Sequence, residues 1–155
     1  MMKRILMILC LMVSVVYASA QRTAETRERW NREMRQYKHD YLSKALDLSG
    51  EQQTRFLALY DAMENERRAI FKEVRRQQAD IEKRGNAVSD AEYEKAAENA
   101  FLVKQREGAV EMKYYKEFKT VLTKKQLFKL KGAEKDFYDN LRKHRHGKKS
   151  GKNKK

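Results

Sequence analysis

The sequence predicts an all-α chain of four helices, and three observations carry that prediction. No proline occurs in 155 residues, three Ser/Thr-x-x-Gln/Glu boxes mark helix starts, and the apolar residues between the boxes recur at three- and four-residue intervals. Average usage would place about eight prolines in this length, so their absence favours long uninterrupted helices over a turn-rich β-sandwich or barrel and nearly excludes an all-β chain. Charged residues are 37% of the chain and hydrophobic ones 41%, which suits thin, solvent-exposed helices around a small core.

Residues 1–20 stand apart from that arithmetic. Met1-Met2-Lys3-Arg4 is a short basic start, Ile5 to Tyr17 is almost purely apolar, and Ala18-Ser19-Ala20 places small residues where signal peptidase cuts. We read this as a cleavable secretory signal, with the processed chain starting at Gln21; the apolar run is short of the roughly 20 residues that span a bilayer. Cys10 is the chain's one cysteine and leaves with the signal, so neither a disulfide nor a thiol nucleophile is expected, although the compartment would permit disulfides. The formal charge of +14 is uneven: residues 142–155 carry eight basic residues and no acidic one, leaving +4 on residues 21–141.

The elements follow from their caps. The first helix is expected from about Thr23 to Leu46, with Trp30, Met34, Tyr37, Tyr41 and Ala45 on one face. Ser49-Gly50-Glu51-Gln52 opens the second, in which the hydroxyl accepts from an orphan amide of the first turn and the glutamine reaches back to the cap's own amide. That helix should run from Glu51 to about Arg84 on a stripe of Phe56, Tyr60, Met63, Ile70, Val74 and Ile81, interrupted by Arg67 and Gln77. Gly85-Asn86 supplies the stop. Ser89-Asp90-Ala91-Glu92 opens the third, expected from Asp90 to Val121, with Tyr93, Ala96, Ala100, Val103, Val110, Tyr114 and Phe118 inward. Thr123-Lys124-Lys125-Gln126 opens the fourth, from Lys124 to about Leu141, with Leu127, Leu130, Phe137 and Leu141 inward. Val88 with Tyr93 and Leu122 with Leu127 have the spacing of hydrophobic staples.

The second and third helices each come to roughly 50 Å at 1.5 Å per residue, whereas a compact domain of this size would be about 30 Å across. The short connection between them implies a long antiparallel helical hairpin. A stripe that one small protomer cannot cover implies an elongated, cradle-like homodimer.

Leucine precedes two of the boxes, giving Leu48-Ser49-x-x-Gln52 and Leu122-Thr123-x-x-Gln126. Two such motifs about seventy residues apart, in a small secreted all-helical chain, resemble the paired LTxxQ signature of the Spy/CpxP-like family of periplasmic proteins. The second copy matches in full, and the first has serine for threonine. The resemblance covers about residues 25–141 and implies a four-helix, cradle-shaped periplasmic homodimer. Functionally it implies an ATP-independent chaperone that holds unfolded envelope proteins under stress, or a regulator or metal-responsive partner of an envelope-stress sensor domain. Such a holdase needs basic side chains to attract a client and modest apolar patches to hold it, and Arg67, Arg68, Ile70, Phe71, Arg75 and Arg76 supply both on the second helix. The same charges also make ordinary i,i+4 pairs such as Glu64 with Arg68 on a solvated face.

Other chemistries lack their residues. The histidines are His39, His144 and His146, the last two in a tail crowded with cations, so no metal and no cofactor is expected. There is no phosphate loop, nucleophile motif or His-Glu-x-x-His pattern, so no enzymatic activity is expected. The basic tail of residues 142–155 is expected to be disordered, having no apolar residue to fold it, and behind a signal peptide it would meet anionic lipid, lipopolysaccharide or acidic client segments in place of nucleic acid. Skp/OmpH-like chaperones share the basic helical hairpin but mount it on a β-body, and no alternating strand pattern occurs here.

Overall fold

The computed structural model describes residues 25–150, with side chains to Lys143. The signal expected at 1–20 and the end of the tail lie outside the described residues. Those described form four α-helices and no strand: α1 over 25–46, α2 over Gly50–Arg84, α3 over Asp90–Phe118 and α4 over Lys124–Ser150, with a 3₁₀ turn at Gly85–Ala87. The chain divides into two units at Lys44 and Ala45. Unit one, as described, is the helix of residues 25–44. All of the packing that follows lies in the second unit.

In α1 Leu46, in the second unit, is buried and Ala45 beside it is exposed; along the first unit Met34 and Tyr41 are half-buried, while Trp30 and Tyr37 stay about half exposed. Of the expected face, Met34 and Tyr41 are thus partly buried and Trp30, Tyr37 and Ala45 are exposed; tryptophan and tyrosine carry a polar tip that tolerates exposure. The helix ends at Asp47 with φ 52°, a left-handed conformation more usual for glycine or asparagine.

α2 buries Phe56, Tyr60, Met63, Ile70 and Val74, as its stripe predicts. Its interruptions are the polar links to α3: Arg67 bonds Glu107, and Gln77 accepts from Asn99 at 2.9 Å. Further along, Glu66 meets Lys113 at 2.6 Å and Glu73 meets Arg106 at 2.6 Å. Numbers rise on one helix as they fall on the other, so α2 and α3 run in opposite directions. At the base, Phe56 packs on Tyr60 and Phe118 with ring centroids 5.5 and 5.4 Å apart. α4 adds Leu130, Ala133 and Phe137 to the buried set.

The turn between α2 and α3 is clamped by charge. Gly85 takes φ 50°, and Arg84 reaches across it to both oxygens of Glu92 at 2.7 and 2.8 Å. Glu92 also accepts from the amide and hydroxyl of Ser89, each at 2.9 Å. These bonds, the Ser89 amide first and Arg84 next, pull its carboxyl from the ordinary 4.5 down to about 2. A depressed carboxyl stabilises the fold above its unfolded value and loses that contribution as pH falls through the folded one. Melting temperature should therefore fall between pH 4.5 and about 2, and Glu92→Gln should flatten part of that limb; parallel acid limbs for the two proteins would remove Glu92 as a cause.

α3 ends at Phe118, short of the expected Val121, and a turn closed by Leu122 N–H to Phe118 O at 2.7 Å leads into α4. α4, expected to close near Leu141, runs on to Ser150, so residues 142–150 are helix and not part of the disordered tail expected from Arg142. No proline interrupts it, and lysine and arginine near a helix C-terminus are favourable partners for the dipole.

Candidate functional site

The two LTxxQ-like motifs meet. Each glutamine first does the local work of a capping box. Gln126 Oε1 accepts from Thr123 N–H at 2.9 Å and from the Thr123 hydroxyl at 3.0 Å, while Thr123 Oγ1 accepts from Gln126 N–H at 3.2 Å. Gln52 Oε1 accepts from Ser49 N–H at a looser 3.4 Å. The two side-chain amides then pair across more than seventy residues of sequence. Gln52 Nε2 donates to Gln126 Oε1 at 2.9 Å, and Gln126 Nε2 donates to Gln52 Oε1 at 3.1 Å.

The remaining amide hydrogens go to backbone carbonyls that the helices leave open. Gln52 Nε2 donates to Val121 O at 2.8 Å, in the turn before α4. Gln126 Nε2 donates to Leu46 O at 3.1 Å and Asp47 O at 3.3 Å, where the last carbonyls of α1 have no intrahelical partner. One pair of glutamines thus starts α2 and α4, closes α1 and holds the turn after α3. Of the other motif residues, Leu122 is buried, Leu48 half-buried and Ser49 exposed. The caps are legible in the sequence and the pairing is not, because a capping box specifies only bonds three residues away.

The basic-apolar segment of α2 divides between two faces. Arg67 and Ile70 turn inward. Ile70 is buried, and Arg67 lies among Glu64 at 2.8 Å, Glu107 at 3.0 Å and Glu111 at 3.8 Å. Burial works against the Arg67 charge, but the three carboxylates outweigh it and raise its pKa. Arg68, Phe71, Lys72, Arg75 and Arg76 face outward and line a shallow open concavity. Phe71 among them is 38% exposed; Lys72 and Arg75 have no ion-pair partner among the described residues, and Arg76 feels the charge of Glu73.

A second polar pair lies deeper. Tyr60 donates its hydroxyl to Glu134 Oε1 at 2.7 Å, joining α2 to α4, and burial followed by the Glu134 charge pushes the phenol's pKa far up. Lys131 bridges Glu134 and Glu111 at 3.2 and 2.8 Å. The outer face of α3 carries Phe101, Met112 and Tyr115, all exposed. Among the described residues no group of His, Cys, Asp or Glu is arranged to hold a metal ion, and no helix is long and apolar enough to cross a membrane.

Comparison with protein-family models, with curated proteins and with solved structures gives no match for this chain. The reading of function therefore rests on the residues themselves.

Proposed function

We propose that the protein is a periplasmic, ATP-independent holdase that binds unfolded or partly folded envelope proteins during stress and works as a cradle-like homodimer built on the long α2–α3 hairpin. The observation that carries this reading is the pairing of Gln52 with Gln126. Capping boxes are common, but two that pair through their glutamines and share their remaining hydrogens with three backbone carbonyls form one structural unit, which supports treating them as a family signature.

The client-facing surface is the outward face of α2, where Arg68, Lys72, Arg75 and Arg76 line one concavity with Phe71. Charge attraction between exposed groups is screened over about 8 Å at physiological salt, so the arginines act on capture and the ring acts on residence. Arg67 and Ile70 belong to the α2–α3 interface and reach a client only indirectly. The second copy sits on the outer face of α3. Phe101 and Tyr115 each lie seven residues from Gly108, so an antiparallel two-fold crossing at Gly108 sets the phenylalanine of one copy against the tyrosine of the other.

The purified protein should suppress aggregation of unrelated unfolded proteins at near-stoichiometric ratio without nucleotide. Combined reversal of Arg68, Arg75 and Arg76 to glutamate should slow capture about tenfold at low salt, while Phe71→Ser should speed release and leave capture nearly intact. Failure to suppress aggregation, together with saturable binding of one sensor domain, would replace the holdase by a dedicated regulator. Silence of both sets of variants in an active protein would move the client surface elsewhere.

A further inference from the structure

From Lys124 onward the chain carries thirteen lysines and arginines against three acidic residues, and most of its net charge therefore lies on α4 and beyond. α4 has two faces. Leu130, Ala133 and Phe137 are buried on one. On the other, Phe128 projects with 87% of its surface exposed. Lys125 and Lys124 lie three and four residues before it, within reach on the same helical face, and Lys129 follows directly.

These three lysines have no ion-pair partner among the described residues, whereas Lys131 and Lys135 further along are paired with carboxylates. The first turn of α4 contains no acidic residue, unlike those of α2 and α3. Lys124 and Lys125 thus add to the positive end of the helix dipole, where a carboxylate would usually oppose it. Gly132, four residues after Phe128, has nothing within 4 Å of where a Cβ would stand. Internal packing therefore explains neither the glycine nor the projecting ring.

We propose that this face of α4 docks on an anionic phospholipid bilayer, with the Phe128 ring entering the interface and Lys124, Lys125 and Lys129 at the level of the headgroup phosphates. Charge complementarity selects an anionic partner. The isolation of the ring selects a bilayer over a folded protein: the core of a protein interface is a contiguous, largely apolar patch, and lysines with a glycine surround this phenylalanine. A bilayer interface accepts a single ring while long lysine stems keep their ammonium groups at the headgroups. The proposal is independent of the holdase reading, since it uses a different helix and a different partner.

The test uses the full processed protein and vesicles of phosphatidylcholine with or without phosphatidylglycerol. Cosedimentation should require phosphatidylglycerol. Reversing Lys124, Lys125 and Lys129 to glutamate should weaken it by about a hundredfold or more, and Phe128→Ser by about tenfold. Neutralising Lys148, Lys149, Lys152, Lys154 and Lys155 to glutamine reports the tail separately and should weaken binding less than the α4 reversals. In a Trp30→Phe, Phe128→Trp protein, emission should shift to the blue on phosphatidylglycerol vesicles and stay unshifted with polyglutamate. Binding lost with the tail lysines but kept by the α4 reversals would overturn the proposal. So would equal binding to polyglutamate with no blue shift on vesicles, or loss of self-association in Phe128→Ser with lipid binding intact. Unchanged circular dichroism and melting of each variant would exclude unfolding as the cause of any loss.

Discussion

Gln126→Leu should destabilise the protein by about 2–4 kcal/mol, well beyond the roughly 1 kcal/mol expected for loss of a cap. The side chain is part-buried, and its replacement keeps the volume while removing an amide that bonds Thr123, Gln52, Leu46 and Asp47 at once. A lost partner costs about 1–3 kcal/mol where the group left behind is shielded from water. Here Gln52 and the end of α1 are both stranded. Thr123→Ala removes only the local half of the arrangement and should stay near 1 kcal/mol. Because the two glutamines act as one unit, the Gln52→Leu, Gln126→Leu double variant should lose less than the two single losses added together, with a coupling of about 0.5–3 kcal/mol. Urea unfolding of the four proteins reads this directly. Additive losses would reduce the two motifs to independent caps that happen to be close.

This contrast marks how far the sequence carries. Helix class, helix order and the starts of α2, α3 and α4 are legible because capping is local chemistry, fixed by residues three apart. The buried stripe of α2 is legible too, since period alone defines a face. What closes α1 is not, because Asp47 in a left-handed conformation has no strong sequence mark, and the carbonyls it leaves open are satisfied from the start of α4. The roles of Arg67 and Gln77 are half legible. They interrupt the stripe, which flags them, yet only the facing residues Glu107 and Asn99 reveal them as links between helices. The split of the arginine cluster has the same origin. Arg67 and Arg68 are neighbours in sequence and about 100° apart around the helix, so one sits among carboxylates and the other meets solvent. In α1 the pattern is half a guide: Met34 and Tyr41 are partly buried, whereas Trp30 and Tyr37, whose polar tips tolerate water, stay exposed.

Phe56→Ala should be the most damaging single substitution in the second unit, at about 3–5 kcal/mol. Phe56 is completely buried and touches rings from both α2 and α3, so its removal opens a cavity where helices meet and where relaxation of one wall is opposed by the other. Tyr60→Phe offers a measured contrast on the next turn. It keeps the ring and removes only the bond to Glu134, a charged acceptor that is itself buried; the expected cost is about 1–3 kcal/mol, partly recovered in Tyr60→Phe, Glu134→Gln, which no longer buries the charge. Both substitutions lie at the Gln52–Gln126 end of α2, whereas Arg68 to Arg76 lie turns away on its outer face. Client capture measured well below the melting temperature should therefore survive Phe56→Ala while thermal stability falls. Loss of capture in a folded Phe56→Ala protein would instead mean that the aromatic cluster at the base, and not the outer face of α2, sets the shape that clients meet.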